Sequence, residues 1–487
     1  MKKFLSGLLV IAMAAGLFSG CGTGADAQRP SSKNPVTVTV WHYYNGAQKN
    51  AFDLLVKEFN ETVGLEQGII VEAISQGDVN SLESSVLDSV EKKAGAAPVP
   101  NIFAAYADNA YQVDQMGLLA NLEDYLTEEE LSQYIPSYIE EGRIGNDGGL
   151  KIFPTAKSTE IFMLNKTDWD KFEAENDVSL DDLATIEGVV ETARKYYEWT
   201  DAQTPGVADD GKAFFGRDAM ANYLLIGCRQ MGVEIFSVKN GKVTFQADES
   251  VLRRIWDNYY VPFINGWFTA AGKFRSDDAK VGNLIALVGS TASASYFPSE
   301  VTLGDADPYP IETLVLPAPV FEGGEPYAVQ QGAGMVVTKS TPQQEYASVE
   351  FLKWFTEEDR NLVFASLAGY LPVKRAANDP EKLETASIEG VQTQYTDLIR
   401  QTLDVALETT GTQPLYTSKA FAGGADARKV LEYALQDKAA EDRAAIDELV
   451  AQGMSRSEAV AQFDTDENFA AWFADFSQRL EATQKGE

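Results

Sequence analysis

Apolar residues in the first part of the chain follow two different spacings, one typical of strands and one typical of helices. The β-branched stretch from Val36 to Gly46 ends at a glycine and predicts a strand that leads into a turn. In the stretch after it, Phe52, Leu55, Val56 and Phe59 recur on one helical face. The same alternation predicts further strands over 68–74 and 100–106, and helices over 47–62, 80–95 and 108–117.

Strands that alternate with helices indicate βαβ units around a parallel sheet, and hence an α/β fold. In such sheets, ligands bind beyond the carboxyl ends of the strands. The residues at these three strand ends, 41–45, 76–78 and 106–109, are rich in aromatic and amide groups. Flat rings for sugar C–H faces, together with polar groups for the hydroxyls, are suited to carbohydrate. The alternative is that Trp41 and Tyr43 are ordinary core residues at a strand end.

A short apolar segment behind Lys2 and Lys3 opens the chain. The apolar run Phe4–Phe18 has the length of a signal-peptide core and is too short to cross a bilayer comfortably. With the small residues before Cys21, it resembles a bacterial lipobox, in which the cysteine is diacylated and becomes the mature N-terminus. We therefore predict a signal peptide over residues 1–20 and lipidation of Cys21. A plain secretory signal with an incidental cysteine is the alternative.

The residues after the lipobox predict how the protein is held. Residues 21–34 are small and polar after the cysteine, which predicts a flexible tether. No later stretch of the sequence approaches about eighteen unbroken apolar residues, so we expect attachment to the outer face of a bacterial cell membrane through acyl chains only. The second cysteine, Cys228, then has no mature partner, and its apolar neighbours predict a buried thiol.

Length and charge narrow the functional classes. The chain has 487 residues, of which 45% are hydrophobic, and this is enough for two domains. Its 73 acidic residues outnumber 40 basic ones, and the resulting formal charge of −33 repels nucleic acid and anionic headgroups. With one histidine, His42, and two cysteines, a zinc site built from these ligands is excluded by number. We expect no nucleic-acid partner, no metal and no cofactor.

Three stretches, taken in order, resemble the extracellular solute-binding proteins of ABC importers, sugar-binding family 1. The first is residues 38–61, which contains the first strand end "WHYYNG". The second, residues 148–172, looks like the crossover segment in which the chain leaves one lobe after a proline and enters the other. The third, residues 330–377, looks like the closing signature, a Gly-rich strand, a helix pair and "GYLPV". The "WH" and "GYLPV" pieces are most similar to the glycerol-phosphate-binding branch.

The resemblance implies a two-lobed periplasmic-binding-protein-like fold of type II, in which two α/β lobes close over a ligand by a hinge motion. It places hinge neighbourhoods near 154–158 and 292–296. We expect one lobe to comprise residues 35–155 and 293–340, and the other 156–292 and 341–487 with C-terminal helices. The implied partners are a small-molecule carbohydrate and the transmembrane subunits of an ABC importer, and we expect a monomer.

The resemblance also implies ligand-contacting positions at the strand ends and in the crossover and closing stretches. These are His42, Tyr43, Asp78, Ser158, Trp267, Ser290, Gly332, Tyr370 and Phe421. Tyr370 in "GYLPV" is the most specific of them, and the backbone of Gly332 can approach a ligand because no Cβ intervenes. For Ser158 and Ser290, capping of a turn explains the residue equally well.

The glycerol-phosphate branch supplies an arginine from a stretch that resembles residues 414–430. An ungapped match places Phe421 at that position, and a phenylalanine stacks on a pyranose but cannot hold a phosphate. The sequence therefore predicts a neutral sugar or oligosaccharide as the ligand. A small gap in the match would bring Lys419 or Arg428 into the site instead.

Two other functional classes stay open from the residues alone. A surface-anchored glycosidase needs only two carboxylates about 5–10 Å apart. A Ser-His-Asp triad could use only His42, and a thiol enzyme built on Cys228 has little support. An adhesin would be favoured by internal repeats, and the sequence shows none. We expect a binding protein without enzyme activity.

Overall fold

The computed structural model describes residues 29–144, 148–239, 242–386 and 396–484. The predicted signal peptide and Cys21 lie outside these residues. The strands, in chain order, are β1 (Val36–His42), β2 (Ile69–Ser75), β3 (Ile102–Ala105), β4 (Ile152–Phe153), β5 (Glu160–Asn165), β6 (Phe215–Arg217), β7 (Phe236–Lys239), β8 (Lys242–Phe245), β9 (Ala286–Ser290), β10 (Glu300–Val301), β11 (Tyr309–Pro310), β12 (Thr313–Pro317), β13 (Ala328–Val329), β14 (Gly334–Val337) and β15 (Leu415–Tyr416).

The described strands form two large sheets and three two-stranded ones, and the α-helices of the described residues surround the two large sheets. They are Gly46–Glu61, Val63–Gln67, Val79–Val90, Ala107–Gln115, Glu128–Ser132, Pro136–Glu141, Lys166–Glu173, Ile186–Asp201, Met220–Gln230, Glu249–Asp257, Tyr260–Asn265, Arg275–Lys280, Pro342–Phe355, Glu358–Ala368, Pro380–Thr385, Asp397–Thr412, Gly424–Ala451, Arg456–Val460 and Asp466–Thr483. Short 3₁₀ helices cover Leu122–Asp124, Leu180–Ala184, Thr291–Tyr296 and Arg375–Ala377.

The first sheet has the strand order β2-β1-β3-β14-β4. β1 runs parallel to both β2 and β3, as the strand–helix alternation predicts. β14 enters antiparallel between β3 and β4, because the chain returns to this sheet from the other lobe. The helix Gly46–Glu61 buries Phe52, Leu55, Val56 and Phe59, which is the face that the helical spacing predicts. The carboxyl ends of β1, β2 and β3 therefore meet at one edge of this sheet.

The second sheet has the order β12-β5-β9-β6 and is mostly antiparallel. One of its faces is covered by a core that includes Trp169, Trp256 and Cys228. Cys228 is 1% exposed, and burial raises the pKa of its thiol to about 12, so the prediction of a buried, unreactive cysteine is confirmed. The two sheets with their separate cores form the two α/β lobes that the sequence predicts.

The lobe boundaries in the second half of the chain differ from the expected ones. β12 lies within the range 293–340 expected in the first lobe, yet it pairs with β5 and so extends the second sheet. The helix Pro342–Phe355, expected in the second lobe, packs on the first. Its Phe351 ring lies 5.2 Å from Phe59 and its Phe355 ring 5.4 Å from Phe52. The helix that follows β14 thus packs its rings on the helix Gly46–Glu61 of the first lobe.

The chain passes between the sheets at residues 154–159, as predicted (the outgoing passage), and returns at 318–333 rather than at 292–296 (the returning passage). It crosses to the second lobe once more after the helix Glu358–Ala368, because the helix Asp397–Thr412 packs on β12 and β5. The two passages are joined side by side, since the Ser158 and Gln331 backbones exchange hydrogen bonds of 2.9 and 3.1 Å. Gly332 has φ +97°, and a Cβ there would lie 2.8 Å from the carbonyl oxygen of Ala156. Only glycine fits at this point of close approach.

The C-terminal helices pack on the second lobe. The helices Gly424–Ala451 and Asp466–Thr483 contribute Leu431, Ile446, Trp472 and Phe476 to its core. Their apolar stripes face inward, while many of their acidic residues lie on the outside. Within the described part of the chain, none of the helices is both long enough and apolar enough to cross a membrane.

Candidate functional site

A cleft of about 670 Å³ lies between the two lobes. The first lobe contributes the ends of β1 and β3 and the segment that contains Tyr370. The second lobe contributes the end of β9, the helix Arg275–Lys280 and the first turns of the helix Gly424–Ala451. The joined passages supply Ser158, Gln331 and Gly332 to its floor. Its volume falls within the roughly 300–1,000 Å³ of small-molecule sites.

Three tyrosines from the first lobe line the cleft together. The hydroxyl oxygens of Tyr43 and Tyr370 lie 3.5 Å apart, and the rings of Tyr43 and Tyr106 stack with centroids 6.5 Å apart. Burial raises the pKa of all three phenols, so each stays protonated and acts as a neutral donor and acceptor. Such hydroxyls can exchange hydrogen bonds with the hydroxyls of an uncharged ligand.

Charged side chains stand next to this tyrosine cluster. Burial raises the pKa of Asp108 to about 6, although the guanidinium of Arg428 opposes the shift. Burial also raises the pKa of Glu83, which accepts a hydrogen bond from the side chain of Asn109. Arg428 donates to the side-chain oxygen of Asn222 at 2.7 Å. The cleft therefore offers both carboxylate acceptors and a guanidinium donor.

The second lobe presents exposed aromatic rings at the mouth of the cleft. Phe274 is 51% exposed, Tyr433 45% and Tyr296 38%, and all three line the cavity. Large exposed rings grouped in this way mark a binding surface more than a folding requirement. The sequence did not reveal them because nothing local distinguishes an exposed ring in a helix or turn from a ring that is buried.

Five of the nine predicted ligand-contacting residues lie together in the cleft. They are Tyr43, Ser158, Ser290, Gly332 and Tyr370. Ser290 also caps the turn after β9, since its hydroxyl accepts from the N–H of Ala292 at 3.1 Å. Ser290 therefore caps this turn and also lines the cleft. The role of these five residues in binding stays a prediction.

His42, predicted beside Tyr43, faces the opposite way. It is fully buried in the first lobe, and its ring lies 4.9 Å from Phe52. Its Nδ1 accepts the N–H of Tyr44 at 3.2 Å, and burial lowers the pKa of the imidazole to about 4. Successive strand residues point to opposite faces, so only Tyr43 of this pair reaches the cleft. His42 is a neutral core residue.

Phe421 and Trp267 also lie outside the cleft lining. Phe421 is 2% exposed and packs in the second-lobe core with its ring 5.2 Å from Phe236. Trp267 is half-buried against the same core. Seven residues after Phe421, Arg428 is the side chain that enters the cleft. The prediction that Phe421 contacts the ligand is therefore wrong, and Lys419 is an exposed surface residue.

Asp78 has a structural role at the rim. Its carboxylate caps the helix Val79–Val90 by accepting the N–H of Ser81 at 2.9 Å, and this bond lowers its pKa. The carboxylate also lies 3.5 Å from the ammonium of Lys273 in the second lobe. Its neighbours Val79 and Asn80 line the cleft, whereas Asp78 bridges the two lobes at the edge.

The sequence profile of one family, described as "Bacterial extracellular solute-binding protein", matches residues 55–388, more than two thirds of the chain. The chain belongs to this family of bacterial extracellular solute-binding proteins. Among curated proteins, none matches this solute-binding protein significantly in sequence.

Solved structures share the fold over nearly the whole of this solute-binding protein. The cyclic alpha-maltosyl-1,6-maltose binding protein from Arthrobacter globiformis is 17% identical with a TM-score of 0.64, covering 93% of this chain and 100% of its own. UgpB from Mycobacterium tuberculosis, in complex with glycerophosphocholine, is 16% identical with a TM-score of 0.65, covering 92% and 99%. The substrate-binding protein Lmo0181 from Listeria monocytogenes, in complex with cycloalternan, is 14% identical with a TM-score of 0.63, covering 92% and 99%. These likenesses confirm the two-lobed fold.

Proposed function

We propose that this protein captures a neutral sugar or oligosaccharide in the cleft between its lobes and delivers it to an ABC importer. In this proposal, diacylated Cys21 holds the protein at the outer face of the cell membrane, and the protein acts as a monomer. The binding proteins with the same fold include several whose ligands are oligosaccharides. Delivery then follows from closure of the lobes around the sugar, because the closed form is what a transporter can distinguish from the empty one.

The main support for the proposal is that the two walls of the cleft differ in chemistry, with hydroxyl groups on one wall and aromatic rings on the other. The first lobe offers neutral hydroxyls from Tyr43, Tyr106 and Tyr370, and the second offers the exposed rings of Phe274 and Tyr433. A pyranose has polar edges and two C–H faces. It therefore suits a site with hydrogen-bonding groups on one side and aromatic rings on the other.

A phosphate-bearing ligand of the glycerol-phosphate type is the second candidate, and Arg428 is the observation that favours it. A guanidinium can hold a phosphate through paired charge-assisted hydrogen bonds. The charge of Arg428, however, lies close to Asp108 and Glu83, both of which interact with it electrostatically. Because these carboxylates compensate the guanidinium and repel an anion, we favour the neutral ligand.

A glycan-degrading enzyme is the alternative from another class. Asp108 and Glu83 have raised pKa values, which is a property that general acids need. Burial explains why both pKa values are raised, against the opposing effects of Arg428 and Asn109, and the chain belongs to a family of solute-binding proteins. We therefore assign these carboxylates to hydrogen bonding with ligand hydroxyls and expect no turnover.

Thermal unfolding with a ligand panel tests the proposal. The panel contains maltotriose, cycloalternan and acarbose, with glycerophosphocholine and glycerol 3-phosphate as the phosphate arm. A saccharide at a hundred times its Kd should add about 2.7 kcal/mol to the free energy of unfolding. Stabilisation by a saccharide and none by the phosphate compounds supports the neutral ligand. Stabilisation by the phosphate compounds alone overturns it, and release of shorter sugars from any saccharide overturns the binding-only function.

A further inference from the structure

One buried amide connects the cleft to the outgoing and the returning passage between the lobes. Asn222 lies in the first turn of the helix Met220–Gln230 and is 1% exposed. Its side-chain nitrogen donates to Glu160 at 3.0 Å and to Gln331 at 2.8 Å, and its oxygen accepts from Arg428 at 2.7 Å. Both amide hydrogens and the amide oxygen are thus engaged by side chains from three different parts of the chain.

The orientation of this amide is determined by its buried acidic partner. The carboxylate of Glu160 is 2.9 Å from the guanidinium of Arg217, and the side chains of this ion pair are 9% and 5% exposed. An ionised carboxylate only accepts hydrogen bonds, so the nitrogen of Asn222 must face Glu160. The oxygen of Asn222 then necessarily faces Arg428. The Glu160–Arg217 ion pair therefore fixes the amide of Asn222 in the orientation whose oxygen accepts from Arg428.

Two of the three partners of Asn222 line the cleft, whereas Asn222 itself does not. Arg428 is the cleft guanidinium, and Gln331 lies on the passage that returns to the first lobe. Glu160 is the first residue of β5, directly after the outgoing passage. A movement of either passage relative to the helix Met220–Gln230 would therefore disturb the hydrogen bond that orients Arg428.

We propose that Asn222 is a positioning residue: it holds Arg428 and Gln331 in the geometry that engages the ligand, and it makes this geometry depend on the arrangement of the two passages. The proposal rests on the cleft being the binding site, as the proposed function states. Asn222 acts through its partners and needs no contact with the ligand. Removing the Asn222 side chain should therefore weaken ligand binding by no more than the combined contribution of Arg428 and Gln331.

A ligand-free measurement tests the first half of this proposal. Phenylglyoxal modifies accessible arginines, and peptide mass spectrometry reports the rate at each one. In Asn222→Ala, Arg428 loses its acceptor, and we expect its modification rate to rise several-fold while that of Arg143 in the first lobe stays the same. An unchanged rate at Arg428 overturns the positioning role, whether or not any saccharide binds.

Calorimetric titration with maltotriose tests the second half. A hydrogen bond to a charged group is worth roughly 1.5–3 kcal/mol, so Asn222→Ala should weaken maltotriose binding about tenfold or more. If Asn222 acts through Arg428 and Gln331, the triple variant Asn222→Ala/Arg428→Ala/Gln331→Ala should bind no more weakly than the double variant Arg428→Ala/Gln331→Ala. Fully additive losses overturn the proposal. Failure of the wild type to bind any saccharide of the panel overturns the proposed function and leaves the modification experiment to decide on Asn222.

Asn361 provides a control because it is as buried as Asn222 and is hydrogen-bonded at both its amide nitrogen and its amide oxygen. It is 1% exposed, donates to the carbonyl of Thr155 at 2.7 Å and accepts from the N–H of Val373 at 2.8 Å. None of these groups lines the cleft. Asn361→Ala should lower the melting temperature without changing maltotriose affinity more than twofold. An equal loss of affinity in both variants would mean that Asn222 is merely structural. If Asn222→Ala does not fold, Asn222→Ser is used in the same two experiments.

Discussion

The ammonium of Lys157 lies 2.7 Å from a carboxylate oxygen of Glu141, and their side chains are only 2% and 9% exposed. Lys157 belongs to the outgoing passage between the lobes, and its ammonium also donates to the carbonyl of Gly332 on the returning passage at 2.9 Å. Glu141 ends the helix Pro136–Glu141 of the first lobe and accepts a further bond from Gln330. A single buried lysine thus joins both passages to one lobe.

Removing this lysine should be strongly destabilising. Lys157→Met leaves Glu141 buried without its cation, and breaking a buried pair in this way costs about 3–5 kcal/mol. Urea unfolding measures the loss. The double variant Lys157→Met/Glu141→Leu should recover part of it, because no buried charge is then left unpaired. A loss below about 1 kcal/mol in the single variant would show that water already reaches the pair.

Two variants should show that the ring of Tyr370 stabilises the core and that its hydroxyl contributes to ligand binding. The ring is 4% exposed and stacks on Phe364 with centroids 5.7 Å apart, so Tyr370→Ala should cost about 3–5 kcal/mol of stability, as large-to-small core changes do. Tyr370→Phe keeps the ring and removes the hydroxyl near Tyr43. It should melt normally and bind maltotriose roughly fivefold more weakly.

Tyr44 supplies the control for this hydroxyl. It is 1% exposed, lies in the same aromatic cluster with its ring 6.2 Å from Tyr370, and does not line the cleft. Tyr44→Phe should leave maltotriose affinity unchanged. Normal binding by Tyr370→Phe would place the whole residue in the core and remove it from the candidate site.

Asp108 should make stability depend on pH in the direction opposite to most carboxylates. Its folded pKa is raised to about 6, chiefly by burial, so the folded state binds its proton more tightly than the unfolded state does. Stability therefore falls as the pH rises from about 4 to 6, and the full cost applies above 6. Asp108→Asn removes this cost. The variant should match the wild type near pH 4 and exceed it by about 1–3 kcal/mol at pH 8.

Asp78 offers the contrasting case for the same unfolding measurements. The N–H of Ser81 lowers the pKa of its carboxylate, so its contribution is present at neutral pH and is lost as the pH falls through that lowered value. Asp78→Asn should therefore be slightly less stable than the wild type at pH 8, not more stable. A gain in both variants would indicate a general effect of reducing the negative charge of the protein.

Cys21 should determine where the protein is found. Cys21→Ala removes the thiol that would be acylated, so the precursor should stay unprocessed or the protein should be released. Detergent phase partitioning and incorporation of labelled palmitate measure the change. Acyl-dependent membrane attachment that persists in the variant would contradict the lipobox. Release of the wild type in the same manner as the variant would favour the plain secretory signal.

The sequence alone determined the parts of this protein that depend on local periodicity. The spacing of Phe52, Leu55, Val56 and Phe59 specifies which helix face is buried, because a helix repeats every few residues whatever surrounds it. The β-branched runs before and after that helix likewise predict the two strands that flank it. The motif resemblance added the order of the two lobes and, through it, the position of Tyr370 and Gly332 at the cleft.

Tertiary structure decided which side chains meet. Asn222 lies 62, 109 and 206 residues from its three partners, so no local pattern could have linked them. The choice between His42 and Tyr43 depends on which face of β1 the helices cover, and the choice between Phe421 and Arg428 depends on where the helix Gly424–Ala451 begins relative to the core. Both choices depend on which residues bury the most apolar area in the whole molecule. The free energy of that burial comes from contacts between segments that are distant in the sequence.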